Sequence, residues 1–406
     1  MALSNDKLAA YPHYKTFSSQ DAAVFANDHS ELFGEHSQLH TVEFGDGNLN
    51  LVFRVKNQFG TSLIVKQALP YARCVGESWP LTLDRARIEA EVLLQHRQQV
   101  PDHTVEVLYH DPSKAAMVLE DLGDHQILRQ ALIAGKQLPL LADHLALYLS
   151  HTAFFSSDFV LDGPSKKAQV ARFLNPELCL ITEDLFFTDP FCNHERNTFD
   201  AALQPFVRGL WFDEDVKAEV ASLKASFLSK PQALLHGDVH AGSIFVRHDS
   251  TKLIDAEFGF YGPIGFDVGS FIGNLLLNYF SVEGQLNDSH AAHAQQAYLR
   301  QQLTRFEVCF NQHWRDLMRS HTKDAALQSE RYQQQFLQQV WHDALGFAGC
   351  ELIRRIVGLA HVADMDTIAN KALKNQCELR ALECGRRLIL QHRQLASLSP
   401  VLQLLT

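Results

Sequence analysis

The period of the hydrophobic residues changes part-way along the chain, and two kinds of packing must therefore meet in the fold. In the first third the apolar residues alternate. Leu49, Leu51, Phe53 and Val55 share one face with period two, which predicts a strand lying on a core. Gly45-Asp46-Gly47 precedes that run and predicts a turn between two strands. Segments 62–66, 105–109 and 116–119 read as three further strands. Between them Thr82 or Asp84 can cap a helix that reaches about Gln98, with Ile88, Val92 and Leu93 as its buried stripe.

Past Gly123 the apolar spacing becomes three or four. Helices are predicted over 138–155, 266–279 and 331–361. In the last, Trp341, Leu345, Ala348, Leu352, Ile356 and Leu359 fall on one face. The sole strand-like interruption is 233–235, 244–246 and 252–254. This pattern predicts an α+β protein of two lobes. A small antiparallel-sheet lobe spans 1–119, a hinge 120–123, and a larger, mainly helical lobe 124–406. The cleft between lobes is the natural ligand site.

Composition narrows the partners. The 406 residues carry 36 Lys+Arg against 47 Asp+Glu, a net charge of −11, so no broad basic face for nucleic acid is expected. No apolar run approaches the ~20 residues that span a bilayer. The N-terminus lacks the apolar core of a secretory signal. The seven cysteines form no C-x-x-C pair, and read as thiols in a reducing compartment. A cytoplasmic protein is expected.

The residues with chemistry to offer are His236-Gly237-Asp238-Val239-His240 and Asp255-Ala256-Glu257. Each group follows a short apolar strand, which predicts Asp238, Asp255 and Glu257 exposed side by side at strand ends. Three such carboxylates repel one another unless a cation sits among them. An all-oxygen set suits Mg²⁺, which is held by one or two carboxylates plus substrate phosphates. Asp238 is then free to act as a base toward a hydroxyl. Lys66 lies mid-strand between apolar neighbours, and a buried ammonium needs an anion such as a nucleotide phosphate or Glu89 on the following helix. The glycine turn at 45–47 can aim backbone N–H groups at phosphates.

The H-G-D-x-H and D-x-E pair resembles the aminoglycoside-phosphotransferase and choline-kinase superfamily, a branch of the protein-kinase-like fold. Five blocks narrow the resemblance to its methylthioribose kinases: GDGNLNLVFRV from Gly45, VGESWPLT from Val75, HGDVHAGSIF from His236, DAEFGFYGPIGFDVG from Asp255 and RRIVG from Arg354. The resemblance implies an ATP- and Mg²⁺-dependent sugar kinase that phosphorylates the 1-hydroxyl of 5-methylthioribose. It implies a homodimer by analogy. The alternative is another small-molecule phosphotransferase of the same superfamily. A nucleotide-binding scaffold without catalysis is disfavoured by the presence of Lys66, Asp238, Asp255 and Glu257 together.

Carried onto this sequence, the resemblance assigns Asp238 as the catalytic aspartate and Asp255 with Glu257 as the metal pair. It assigns Lys66 to the ATP phosphates. Gly47, Asn48 and Asn50 become the glycine-loop equivalent, and Met117, Glu120 and Leu122 the strand end and hinge beside adenine. Trp79 is assigned to a loop that closes near nucleotide and substrate. Arg354 and Arg355 are assigned to the sugar and to phosphoryl transfer. The sequence departs from the wider superfamily at Ser243, where many relatives carry a metal-binding Asn. Ala256 sits between the two metal acids. Asp267 is expected to brace the catalytic loop by accepting backbone N–H bonds. Read without the resemblance, Arg354 and Arg355 are adjacent on a helix, about 100° apart, and would be solvated surface charges.

Overall fold

The first third of the chain is built on a five-stranded antiparallel sheet because its apolar alternation is double. The computed structural model describes residues 11–34, 37–44, 49–72, 76–403 and 405. Strands β1 (Leu39–Phe44), β2 (Asn50–Asn57) and β3 (Ser62–Ala68) follow helix α1 (Ser19–Asp28). A short hairpin, β4 (Tyr71–Ala72) and β5 (Gly76–Pro80), leads into α2 (Arg85–Gln99), then β6 (Val107–Asp111) and β7 (Ala116–Glu120). The sheet order is β1-β2-β3-β7-β6.

Register decides which residues share a face. Phe53, Val65 and Val118 lie opposite one another, and so do Val52, Lys66 and Met117. The first row packs under α1 through Ala22, Phe25 and Ala26. On the other side Met117 and Leu119 pack with Ile88, Val92 and Leu93 of α2. Lys66 belongs to this second face, which turns toward the rest of the molecule. Strand β1 is the partner strand expected before residues 45–47, while helix α1 and the β4–β5 hairpin were not expected.

The start of α2 differs from its expected chemistry. Asp84 stands at the N-cap, but its carboxylate is bound by Arg87 at 2.7 and 2.6 Å and caps no backbone N–H. Thr82 Oγ1 instead accepts the Asp84 N–H at 3.2 Å. The buried stripe of α2 contains Arg85, Glu89 and His96 as well as its aliphatic residues.

The larger helical part opens with β8 (Gln126–Ile127) and α3 (Leu128–Ile133). Helices α4 (Leu141–Phe155), α5 (Gly163–Arg172), α6 (Pro176–Phe187), α7 (Gln204–Phe212) and α8 (Glu214–Ser229) follow. Then come β9 (Ala233–Leu235), β10 (Ile244–Arg247), β11 (Ser250–Leu253) and β12 (Phe260–Gly262). The expected sole interruption is thus wider than predicted, since β8 pairs with β10 and β12 with β9. The chain ends in α9 (Gly265–Gln285), α10 (Ser289–His321), α11 (Glu330–Val357), α12 (Ala363–Asp366), α13 (Lys371–Gln391) and α14 (Ser399–Gln403).

Helix α9 is buried at every residue from Gly265 to Val282. It lies against α11 with no room for side chains at the crossing. A Cβ on Gly265, Gly269 or Gly273 would stand 2.7 Å from Ala344 N, 2.4 Å from Ala344 O or 2.8 Å from Glu351 Cβ. The i, i+4, i+8 spacing puts all three glycines on one face. The molecule combines a sheet-based part with a larger helical part.

Candidate active site

The loop after β9 is shaped before any ligand arrives. Gly237 has φ +83°, and a Cβ there would fall 2.1 Å from the Phe258 carbonyl oxygen, so only glycine fits. Asp267, in the first turn of α9, accepts the N–H groups of His236 (2.8 Å) and Gly237 (3.1 Å). This is the bracing expected of it. His236 Nε2 meets the Ile254 carbonyl at 2.8 Å and ties this loop to the end of the β10–β11 hairpin.

Asp238 projects from that loop into a cationic setting. His240 Nδ1 accepts the Gly242 N–H at 2.8 Å, which puts the ring proton on Nε2, 3.3 Å from Asp238 Oδ2. Arg354 and Arg355 bring Nη2 atoms to 3.8 and 4.0 Å from Asp238 Oδ1. Burial pushes the Asp238 carboxyl up, but His240, Arg355 and Arg354 outweigh it and hold it below the usual carboxylate range.

Asp255 has φ +69°, a left-handed backbone rare for a residue with a side chain. Its carboxylate accepts from Lys66 Nζ, which also pairs with Glu89 Oε1 at 2.7 Å. Glu257 Oε2 accepts from Arg85 Nε at 2.9 Å and from Asn50 Nδ2 at 3.1 Å. Arg85 is fully buried and also donates to Asn50 Oδ1 at 2.9 Å and the Leu49 carbonyl at 2.7 Å. Burial disfavours the Lys66 ammonium, but Asp255 and Glu89 keep it protonated. Lys66 in turn lowers Asp255 against the effect of burial. Glu89 is pushed up, first by its burial and then by the neighbouring acids.

Two expectations are corrected here. The acids that converge to within 4.8 Å are Glu89, Asp255 and Glu257, with Asp238 in its own cationic setting. Glu257 is also buried rather than exposed, because Arg85 and Asn50 draw it inward. The three acids face two buried cations, Lys66 and Arg85. The donor set is all oxygen, and Glu257 Oε1 and the half-exposed Asp255 carboxylate remain to serve a cation. These residues fit Mg²⁺.

Met117 lies across from Lys66 and is buried with Leu122 in the cluster against α2. Glu120 is half-buried, and its carboxylate accepts from Lys252 Nζ (2.5 Å) and the Glu106 N–H (2.8 Å). Trp79 belongs to strand β5 rather than to a loop, and the Arg196 guanidinium lies 5.7 Å from its ring. Gly47 and Asn48 lie outside the described residues, as does the turn expected at 45–47.

The arginine pair is not a solvated helix surface. The side chains of Arg354 and Arg355 are 13% and 9% exposed. Both Nε groups bind Glu351, Arg355 at 2.8 Å and Arg354 through the other oxygen, and Arg354 lies 4.9 Å from the Phe186 ring centre. Glu351 is fully buried; burial raises its carboxyl, but the two arginines win and bring it down to about 2. Arg85 and Glu351 are site residues the sequence reading missed. The signals were spacing: Arg85 and Glu89 are four apart on an apolar stripe, and Glu351 stands three and four before the arginines.

Comparison with known proteins agrees with this geometry. Residues 40–317 match the phosphotransferase enzyme family. The methylthioribose kinase of Yersinia enterocolitica is 52% identical over 390 residues, spanning 96% of this chain and 98% of that protein. The chain belongs to the methylthioribose kinase family. The methylthioribose kinase of Pectobacterium carotovorum subsp. carotovorum is 53% identical over 394 residues, covering 96% and 97% of the two chains. That of an Enterobacter species is 52% identical over 380 residues, covering 93% and 94%. As a member of the methylthioribose kinase family the chain is an enzyme, a phosphotransferase of two-lobed α+β fold.

Proposed function

We propose that the enzyme transfers the γ-phosphoryl group of ATP to the 1-hydroxyl of 5-methylthioribose, giving 5-methylthioribose 1-phosphate and ADP in methionine salvage. The observation that carries this reading is one ionised carboxylate, Asp238, with two guanidinium groups 3.8 and 4.0 Å away. Asp238 accepts the proton of the attacking hydroxyl as its oxygen bonds to phosphorus and the bond to the ADP oxygen breaks. Arg354 and Arg355 lie where charge on the transferring oxygens would gather, and cations there act mainly in the transition state.

Asp255 and Glu257 would hold Mg²⁺. When bound, the ion would neutralise charge on the β- and γ-phosphates. Lys66 moves from Asp255 to the ATP phosphates while Glu89 keeps hold of it. Asn50, with Gly47 and Asn48, covers the phosphates; Met117, Glu120 and Leu122 border adenine; Trp79 closes toward nucleotide and sugar. The lobe boundaries at 119 and 124, a cytoplasmic setting and a homodimer belong to the same reading. No helix among the described residues is long and apolar enough to cross a membrane.

The alternative acceptor is an amino alcohol or aminoglycoside. Its positive charge would meet Arg354 and Arg355, which disfavours it. An ADP-release assay with methylthioribose, ribose and choline in parallel tests the proposal. Turnover with methylthioribose alone supports it, and faster turnover with choline overturns it.

A further inference from the structure

Neighbouring side chains on a helix point about 100° apart, yet Arg354 and Arg355 converge on one oxygen of Asp238. Glu351 accounts for this. One turn back on α11, its two oxygens each take one arginine Nε. With both Nε groups held, the Nη2 atoms are turned the same way. Glu351 is fixed in its turn. Asn274 of α9 donates from Nδ2 to Glu351 Oε1 at 2.9 Å. Asn274 Oδ1 accepts the N–H of Ala241, three residues past Asp238, at 3.2 Å, and Arg129 Nη2 at 2.8 Å. Arg129 returns to the same loop by donating its own N–H to the Ala241 carbonyl at 3.0 Å, and its guanidinium is anchored on buried Asp364. One amide thus spans the catalytic loop and the carboxylate that carries the arginines. Asn274 is 1% exposed and Glu351 fully buried.

We propose that Glu351 and Asn274 are positioning residues for phosphoryl transfer: Glu351 converges the two arginines, and Asn274 sets that pair in register with Asp238. The inference rests on the roles given above to Asp238, Arg354 and Arg355. Neither residue touches the reacting atoms. Their effect is on placement, and misplacement by an ångström can cost ~10²-fold in rate. The alternative role is structural, filling the α9–α11 contact with satisfied polar groups. That role would affect folding and leave kcat of the folded fraction unchanged.

The test is a mutant cycle read in kcat, at a temperature where circular dichroism shows each variant folded. Glu351→Gln keeps shape and one acceptor but cannot hold two guanidinium groups by charge. It is expected to lower kcat by ~10²-fold, with KM for ATP within about threefold, because the nucleotide contacts lie elsewhere. In the Arg354→Ala/Arg355→Ala background Glu351→Gln should cost nothing further, since the groups it positions are gone. Asn274→Ala should lower kcat at least ~10-fold on its own, and it decides the matter if Glu351→Gln does not fold. Wild-type kcat in folded Asn274→Ala and Glu351→Gln, with the arginine variants impaired, overturns this inference alone. Wild-type kcat in the arginine variants instead overturns the role of the arginines. Full additivity of Glu351→Gln with the double arginine variant also overturns the positioning role.

Discussion

In the proposed reaction a single residue, Asp238, takes the proton, and its neighbours decide its state. Two arginines and His240 hold it ionised, so it is ready to accept a proton throughout the neutral range. Asp238→Asn is expected to lower kcat by ~10²–10⁴-fold and leave ATP affinity within a few-fold, as measured by steady-state kinetics beside nucleotide titration. Near-normal turnover would remove Asp238 from the mechanism. Glu351 gives a pH signature in stability rather than rate. Its carboxyl lies near 2 in the folded protein against 4.5 as the ordinary value. A depressed folded value means the contribution is fully present above about pH 4.5 and is lost as pH falls toward 2. The shift is on the order of 3 kcal/mol. Urea unfolding of wild type and Glu351→Gln should show a stability gap at pH 7 that narrows as pH falls from 4.5 toward 2. A gap independent of pH would contradict the ion pairing.

Among the elements, α9 and α11 set the distance across which Asn274 reaches Glu351. Gly269 is the tightest point, because an added Cβ would lie 2.4 Å from Ala344 O and 2.8 Å from Phe347 Cβ. Neither contact is the tip of a flexible chain, so the helices must part. Gly269→Ala should cost ~1–3 kcal/mol by overpacking and lower kcat, since α11 bears the arginines. Gly209→Ala, where nothing lies within 4 Å of the new methyl, should be neutral or stabilising by up to ~1 kcal/mol. Melting curves and kcat of the two variants make the comparison, and an unmoved Gly269→Ala would show the crossing to be slack. These glycines also mark what a sequence can disclose. Strands β2, β3 and β7 were legible because alternation survives burial of one face at a time. The H-G-D-x-H loop and D-x-E pair were legible because acids directly after apolar strands stand out. Helix α9 was read short of Gln285 because it is apolar or small on every side and shows no stripe. Glu257 was misread as exposed because its partner, Arg85, lies 172 residues earlier. Asn274 was missed because three of its partners, Glu351, Ala241 and Arg129, are tertiary and only its bond to the Ser270 carbonyl is local.

Over the whole molecule the site is assembled from segments far apart in the chain. Lys66 meets Asp255 across 189 residues, and Asn50 meets Glu257 across 207. A nucleotide bound with Mg²⁺ at this seam would stabilise the folded chain by mass action, ~2.7 kcal/mol at a hundredfold excess over Kd. Thermal unfolding with ATP in EDTA and with Mg-ATP should therefore differ, the magnesium condition melting higher. Asp255→Ala should erase that difference and keep the shift due to ATP alone; an unchanged magnesium increment would refute Asp255 as a ligand. The cross-chain charges also govern how the polypeptide can be divided. Cut after Gly123, the first piece would keep buried Lys66 and Arg85 with Glu89 alone to answer them, and the second would keep Asp255 and Glu257 with neither cation. Each fragment would hold buried charges that the other answers, which suits the chain to a split reporter whose signal arises where its two pieces meet.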